Sequence, residues 1–293
     1  MQKLKNSIID NMIKARLTGK EIDFMIYVSR YQDTMGKVCG VHYKTLCSEM
    51  GMSYQEFYNA KNALQEKGFI RCEKSNRIDH DITIIGNTDQ DCRNSGYINT
   101  NHNIFFEKAF FKLKAGAKLL ALFLMKVTRA GKGHFEIYVK NFYDTEKEGG
   151  YPERFGVTER ILRAYLMSLK EFFSIGIKDR KYYITPKKNL YRKTGEESEN
   201  RRYKEYHVDV ILRRMRATSM DTVARNEICS YFDQYKRRIM ALGRTVFTEI
   251  ERAVIQSLAP DALREEKGFL KVNHKFVHKL LKENVAKMEM GIC

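Results

Sequence analysis

Met50-Gly51-Met52-Ser53-Tyr54-Gln55-Glu56-Phe57-Tyr58 holds a helix stop and a helix start within four residues. A glycine after a short amphipathic segment is a natural left-handed helix stop, so a helix over 43–50 ends at Gly51. Ser53 followed three residues later by Glu56 is a capping box, which starts the next helix almost at once. That helix runs to Lys67 and stops at Gly68. Phe57, Ala60 and Leu64 share its inward face, while Gln55, Asn59 and Asn62 lie outward with Tyr54 and Tyr58 flanking them.

Upstream, Thr18 and Glu21 form another capping box, and the apolar spacing of Ile22, Met25 and Ile26 predicts a helix over 19–32. Residues 37–42 are short and β-prone. Downstream come a β-rich segment from Phe69 to Lys74, a polar loop from Ser75 to His80, and alternation from Asp81 to Ile85. The order is helix, short strand, helix, tight turn, helix, hairpin.

The order recurs between 104 and 185. Leu119, Leu120, Phe123, Leu124 and Val127 predict a helix ending near Arg129, followed by a strand over His134–Val139 and a short polar helix around 141–147. The segment Glu148 to Pro152 reads as a turn. Arg154-Phe-Gly-Val-Thr-Glu-Arg-Ile-Leu-Arg163 reads as a second turn and helix, capped by Thr158 but without an acidic partner at 161. Leu162, Tyr165, Leu166 and Leu169 bury this helix over 159–172; Arg160, Arg163, Met167 and Lys170 line its other side. A hairpin with its turn at Asp179-Arg180-Lys181 closes the unit.

Two helices joined by a glycine turn and followed by a hairpin resemble the helix-turn-helix of winged-helix proteins. Leu64-Gln-Glu-Lys-Gly-Phe-Ile70 resembles the exit from the second helix into the wing in those families. Residues 17–185 are similar in layout to tandem winged-helix proteins, among them iteron-type plasmid replication initiators and the helix-turn-helix regulators of mobile elements. The resemblance is one of element order and turn chemistry, and it implies double-stranded DNA binding. Asn and Gln amides suit adenine, and arginines at a helix start suit guanine or phosphate. The expected contact residues are therefore Tyr54, Gln55, Tyr58, Asn59 and Asn62 in the first unit, with Lys74, Arg77 and His80 on its wing. In the second they are Arg160, Arg163 and Lys170, with Arg180 and Lys181 at the hairpin. The competing readings are a solvated polar face for the first set and Glu159–Arg163 pairing for the second.

Charge agrees with a polyanionic partner. The chain carries 53 Lys and Arg against 36 Asp and Glu, a net +17. Residues 1–100 hold 14 basic and 12 acidic side chains, 101–190 hold 18 and 9, and 191–293 hold 21 and 15. Nonspecific attraction thus belongs mainly to the second and third portions. The six scattered cysteines suggest reduced, cytoplasmic thiols. The apolar run Leu119–Met125 is far short of the ~20 residues of a membrane span, and Asp10, Asn11 and Lys14 interrupt any signal-peptide pattern near the N-terminus.

The chemistry of an enzyme is not legible. Gly131-Lys-Gly133 lacks the rest of a phosphate-binding loop. Cys39, His42 and Cys47 lack a fourth zinc ligand, and His274 and His278 lack a third. The expectation is of a non-enzymatic protein without cofactor or metal, mainly α with small β-hairpin wings. Two tandem winged-helix domains (1–95 and 101–190) lead through a polar linker, 187–202, to an all-helical region (203–293). Periodicity predicts helices over 204–217, 220–241, 245–258 and 274–288 in that region; Tyr231, Phe232, Tyr235 and Ile239 form one stripe and Phe276, Val277, Leu280 and Leu281 another, suited to a core or a homodimer. As to role, a transcriptional regulator, a replication initiator and, from another class, a winged-helix protein-docking module stay open.

Overall fold

Local sequence sets the start of each outward helix. In the computed structural model, which describes residues 2–73, 79–129, 133–145, 150–191, 196–214, 222–241 and 274–291, both expected capping boxes close. The Thr18 amide donates to Glu21 at 2.7 Å and the Ser53 amide to Glu56 at 2.7 Å. They begin helices α2 (Gly19–Tyr31) and α4 (Tyr54–Glu66). Between these helices lie strand β2 (Lys37–Val41) and α3 (Tyr43–Met50), which stops at Gly51 in the left-handed region, φ 58°. Strands β3 (Ile70–Glu73) and β4 (His80–Ile84) follow. The sheet order is β2-β4-β3, all antiparallel.

The second half repeats the plan. After the short α6 (Lys108–Lys112), helix α7 (Ala115–Arg129) leads to β6 (Phe135–Tyr138), then α8 (Val139–Phe142) and α9 (Tyr151–Phe155). Gly156 is left-handed at φ 62°, and α10 (Glu159–Ser168) begins behind Thr158. Strands β7 (Phe173–Lys178) and β8 (Lys181–Pro186) complete a sheet ordered β6-β8-β7, the same permutation as in the first half. The expected helix over 159–172 tightens into a 3-10 turn at Leu169–Glu171. The expected helix around 141–147 starts earlier, directly off β6, because Phe142 is drawn into the core.

The sequence reading did not anticipate β1 (Lys3–Lys5), α1 (Asn6–Lys14), α5 (Asp89–Ser95) or β5 (Tyr97–Asn99). β1 pairs with β5, so the start of the chain is stitched to the segment joining the two halves. Buried Asn87 fixes this junction: it accepts from the Lys5 amide at 2.9 Å and donates to the Lys3 backbone carbonyl at 2.9 Å and to Gln32 Oε1 at 2.8 Å.

Residues 1–196 form one compact unit around α2 and α7, the first helices of the two repeats. Both are buried nearly all round: every residue from Glu21 to Gln32 is buried, as is every one from Leu119 to Met125. A helix enclosed on all sides has neighbours on all sides, and here each repeat supplies part of the other's surroundings. Asp23 and Lys118 meet at this contact, 1% and 2% exposed, with the ammonium 2.7 Å from both carboxylate oxygens. Arg30, at the other end of α2, donates to the carbonyls of Thr100 and Phe105 and lies 4.1 Å from the Phe106 ring. At the edge, Asp10 of α1 pairs with Lys126 at 2.5 Å and Arg154 at 2.7 Å.

The first unit ends with the short α11 (Lys188–Tyr191), and the second, residues 197–293, is helical where described: α12 (Glu196–Arg214) starts inside the expected linker, followed by α13 (Thr222–Ala241) and α14 (His274–Glu289). The expected helix over 245–258 lies outside the described residues. Tyr231, Tyr235 and Ile239 of α13 bury against Val277 and Leu281 of α14. His278, which the sequence leaves without the ligands of a metal site, stacks on Tyr231 at 4.8 Å and hydrogen-bonds the Tyr235 hydroxyl at 2.9 Å. Among the described residues no helix is long and apolar enough to cross a membrane.

Lys118→Met leaves the Asp23 carboxylate buried and unpaired, and should destabilise the protein by ~3–5 kcal/mol in urea unfolding. Adding Asp23→Leu should restore most of that loss. Burial pushes the Asp23 carboxyl up from 3.8 to about 6 even against the pull of Lys118. An acid with a raised folded pKa favours the fold at low pH and loses that contribution as pH rises through the folded value. The deficit of Lys118→Met is therefore greatest above pH 7 and shrinks toward pH 5.

Candidate nucleic-acid interface

Helix α4 is clamped at both ends by the first turn of α2. Lys20 donates to the Gly51 carbonyl at 2.7 Å, holding the turn before α4, and lies 3.6 Å from Glu56. Lys67, just past the end of α4, donates to both oxygens of Glu21 at 2.7 and 2.9 Å. Phe57, Ala60 and Leu64 are buried, with the Phe57 ring 5.5 Å from that of Phe24 on α2. The opposite face is thereby fixed toward solvent. Gln55, Asn59 and Asn62 are exposed, Tyr58 is half-buried, and Tyr54 is 57% exposed.

These outward side chains are ordered among themselves. Gln55 Nε2 donates to Asn59 Oδ1 at 2.7 Å. The Tyr54 and Tyr58 rings lie 4.7 Å apart on successive turns, and Tyr43 of α3 meets Tyr54 edge-on at 5.1 Å. Lys61 extends over the Tyr58 ring, 5.5 Å from its centroid. His80 begins β4, half-buried, with its ring 6.2 Å from Tyr58. Lys74 and Arg77 of the expected wing lie outside the described residues.

Helix α10 offers different chemistry. Its cap is one-sided: Thr158 Oγ1 accepts from the Ile161 amide at 3.4 Å, and Ile161 has no side-chain acceptor to return the bond. Leu162 and Leu166 are buried, and Arg160, Arg163, Met167 and Lys170 are exposed. Arg163 pairs with Glu159 at 2.8 Å and stacks 4.8 Å above Tyr143, whose hydroxyl sits 3.1 Å from that of Tyr182. The Glu159 hydrogen bond, chiefly, raises the Arg163 pKa. Arg163 is thus oriented by its own helix, as the pairing alternative expects, while its guanidinium stays on the surface.

The second hairpin turns at Asp179 and Arg180, both with positive φ (51° and 59°). Two consecutive left-handed residues make a type I′ turn, whose twist matches the flanking strands but which favours Asn-Gly. Arg180 stands exposed at the tip. Lys181 pairs with Glu136 at 2.6 Å and lies 4.6 Å from the Tyr138 centroid.

Sequence reasoning missed the aromatic supports: Tyr43 beside Tyr54, Tyr143 beneath Arg163, and Tyr138 beneath Lys181. Lys61 three residues after Tyr58 was a readable local pair. Tyr143 under Arg163 is a tertiary contact with no local signature. Among the described residues no group of three or more His, Cys, Asp and Glu side chains is placed to hold a metal ion. No protein-family model matches the chain, and no curated protein is similar to it in sequence.

Arg180 in a left-handed conformation costs about 1 kcal/mol that glycine would avoid. Replacing Asp179-Arg180 by Asn-Gly should raise stability by about that amount in urea unfolding, since Asn-Gly is the preferred pair for this turn. Unchanged or lower stability would mean that the Arg180 side chain stabilises the hairpin.

Proposed function

We propose that the chain is a sequence-specific double-stranded-DNA-binding protein built on two winged-helix units, acting as a transcriptional regulator without a cofactor. The observation that carries this reading is the duplication of one arrangement. Each half places a side-chain-capped helix immediately after a left-handed glycine, buries one face of it, and follows it with a hairpin in a sheet of the same permuted order. In such units the second helix of the turn enters the major groove, which is wide enough to admit it, and the hairpin reaches a neighbouring groove or the backbone.

The two helices differ in the work they suit. The second half carries 18 basic against 9 acidic residues, and α10 presents Arg160, Arg163 and Lys170. Guanidinium and ammonium groups on an exposed helix neutralise phosphates or donate to guanine. The first half is nearly balanced, 14 against 12, and α4 presents amides and tyrosines. Its contribution is discrimination between base pairs rather than nonspecific attraction. Arg180 at a strained hairpin tip and Lys181 beside it fit a wing that touches backbone. The helical unit 197–293 fits self-association or recruitment of a partner, with α13 and α14 burying apolar side chains against each other.

Salt titration of duplex binding tests the reading. If about six to ten phosphates are neutralised, affinity should fall ~10³–10⁵-fold between 50 and 200 mM salt; a flat titration would favour a protein-docking role. Changing Arg160 and Arg163 together to alanine should weaken binding to specific and random duplexes by similar factors and flatten the salt slope. Asn59→Ala should narrow the gap between the two duplexes by ~1–3 kcal/mol with the slope retained.

A further inference from the structure

We infer that α4 reads an A·T-rich block, with the Tyr54–Tyr58 pair seated against thymine methyl groups while Gln55 and Asn59 address the partner adenines. The inference rests on the proposal that α4 is a major-groove helix, and it names the base pairs that helix takes.

An adenine edge in the major groove presents the N7 acceptor beside the N6 donor. The hydrogen bond from Gln55 to Asn59 uses one amide proton and one carbonyl oxygen, leaving Gln55 Oε1 free to accept and Asn59 Nδ2 free to donate. One acceptor and one donor, held side by side on adjacent turns, complement that edge. Pre-ordering by the internal bond also lowers the entropy lost when two long side chains are fixed on DNA.

Thymine puts an apolar methyl into the same groove, next to the adenine edge it pairs with. The tyrosine row runs along α4 beside the amides. Tyr54 is 57% exposed, and its ring is held upright by Tyr58 at 4.7 Å and by Tyr43 edge-on at 5.1 Å. An aromatic shelf kept in water by its neighbours, instead of folded onto the core, gains by being covered with apolar groups. The shelf and the amides thus match the two halves of one kind of base pair. Guanine recognition would call for a guanidinium or ammonium fork, but α4 carries no arginine, and its single lysine, Lys61, is turned over the Tyr58 ring.

The test is selection of duplexes bound by the full chain from a random pool, followed by replacement of thymine with deoxyuridine in the enriched site. The expected outcome is an A·T-rich block whose preference is lost in Asn59→Ala. Each contacted methyl removed should weaken wild-type binding about fourfold, the equivalent of one buried methylene-sized group. Tyr54→Ser should bind the thymine and uracil duplexes equally. A G·C-rich block at the Asn59-dependent positions would overturn the inference, as would deoxyuridine duplexes bound as tightly as thymine ones; either leaves sequence-specific DNA binding standing. Tighter binding to single strands than to duplex would overturn it in favour of bases stacked on the tyrosines. Enrichment of no sequence at all would remove both the inference and the reading beneath it.

Discussion

Lys118 and Asp23 sit out of water between the first helices of two repeated units, the ammonium touching both carboxylate oxygens. A pair this deeply buried gains little net stability over apolar groups of the same shape, because both ions surrender their hydration. What it supplies is position. Neither charge tolerates the loss of the other, so α2 and α7 have one register in which they can face each other. Burial raises the Asp23 pKa and lowers that of Lys118, and each partner's charge opposes that shift. The carboxylate–ammonium form is kept by the contact itself.

Everything proposed for the surface depends on that register. The first turn of α2, a few residues from Asp23, carries Lys20 and Glu21, which hold the beginning and end of α4. Lys118 lies in the first turns of α7, and the same helix also packs against α10 and β8. Gly116 of α7 approaches Tyr165 of α10 so closely that a Cβ would stand 2.2 Å from the ring. One central contact therefore orients both outward helices. If both faces read DNA, as proposed, their fixed mounting calls for a single target of fixed internal spacing, with an amide-and-tyrosine end and an arginine end.

The outward helices were legible because their determinants are local. Thr18 with Glu21 and Ser53 with Glu56 fix helix starts within four residues, and Gly51 and Gly156 fix stops through backbone conformation alone. The exposed faces of α4 and α10 followed from apolar spacing. What stayed hidden is what depends on the other half of the chain. Lys118 reads as a charged residue at the edge of an apolar run, and only the presence of Asp23, 95 residues away, makes its burial possible. The β1–β5 pairing is three residues long on each side and has no periodicity to detect. Helix α1 does carry a readable stripe, Ile8, Ile9, Met12 and Ile13, interrupted by the polar Asp10 and Asn11. At the candidate site the outward residues were named from the sequence. The rings that orient them were not, because Tyr143 and Tyr138 reach Arg163 and Lys181 through sheet and turn geometry.

Changing the spacing of the target asks whether the two repeats within residues 1–196 read DNA as one body. On the duplex selected by the full chain, about five base pairs, half a helical turn, would be inserted between the segment sensitive to Asn59→Ala and the segment sensitive to Arg160→Ala. Affinity should then fall to that of random duplex, because the α2–α7 contact lets neither helix swing to follow its segment. Undiminished affinity across insertions would contradict it, and would mean that the two units move independently on DNA.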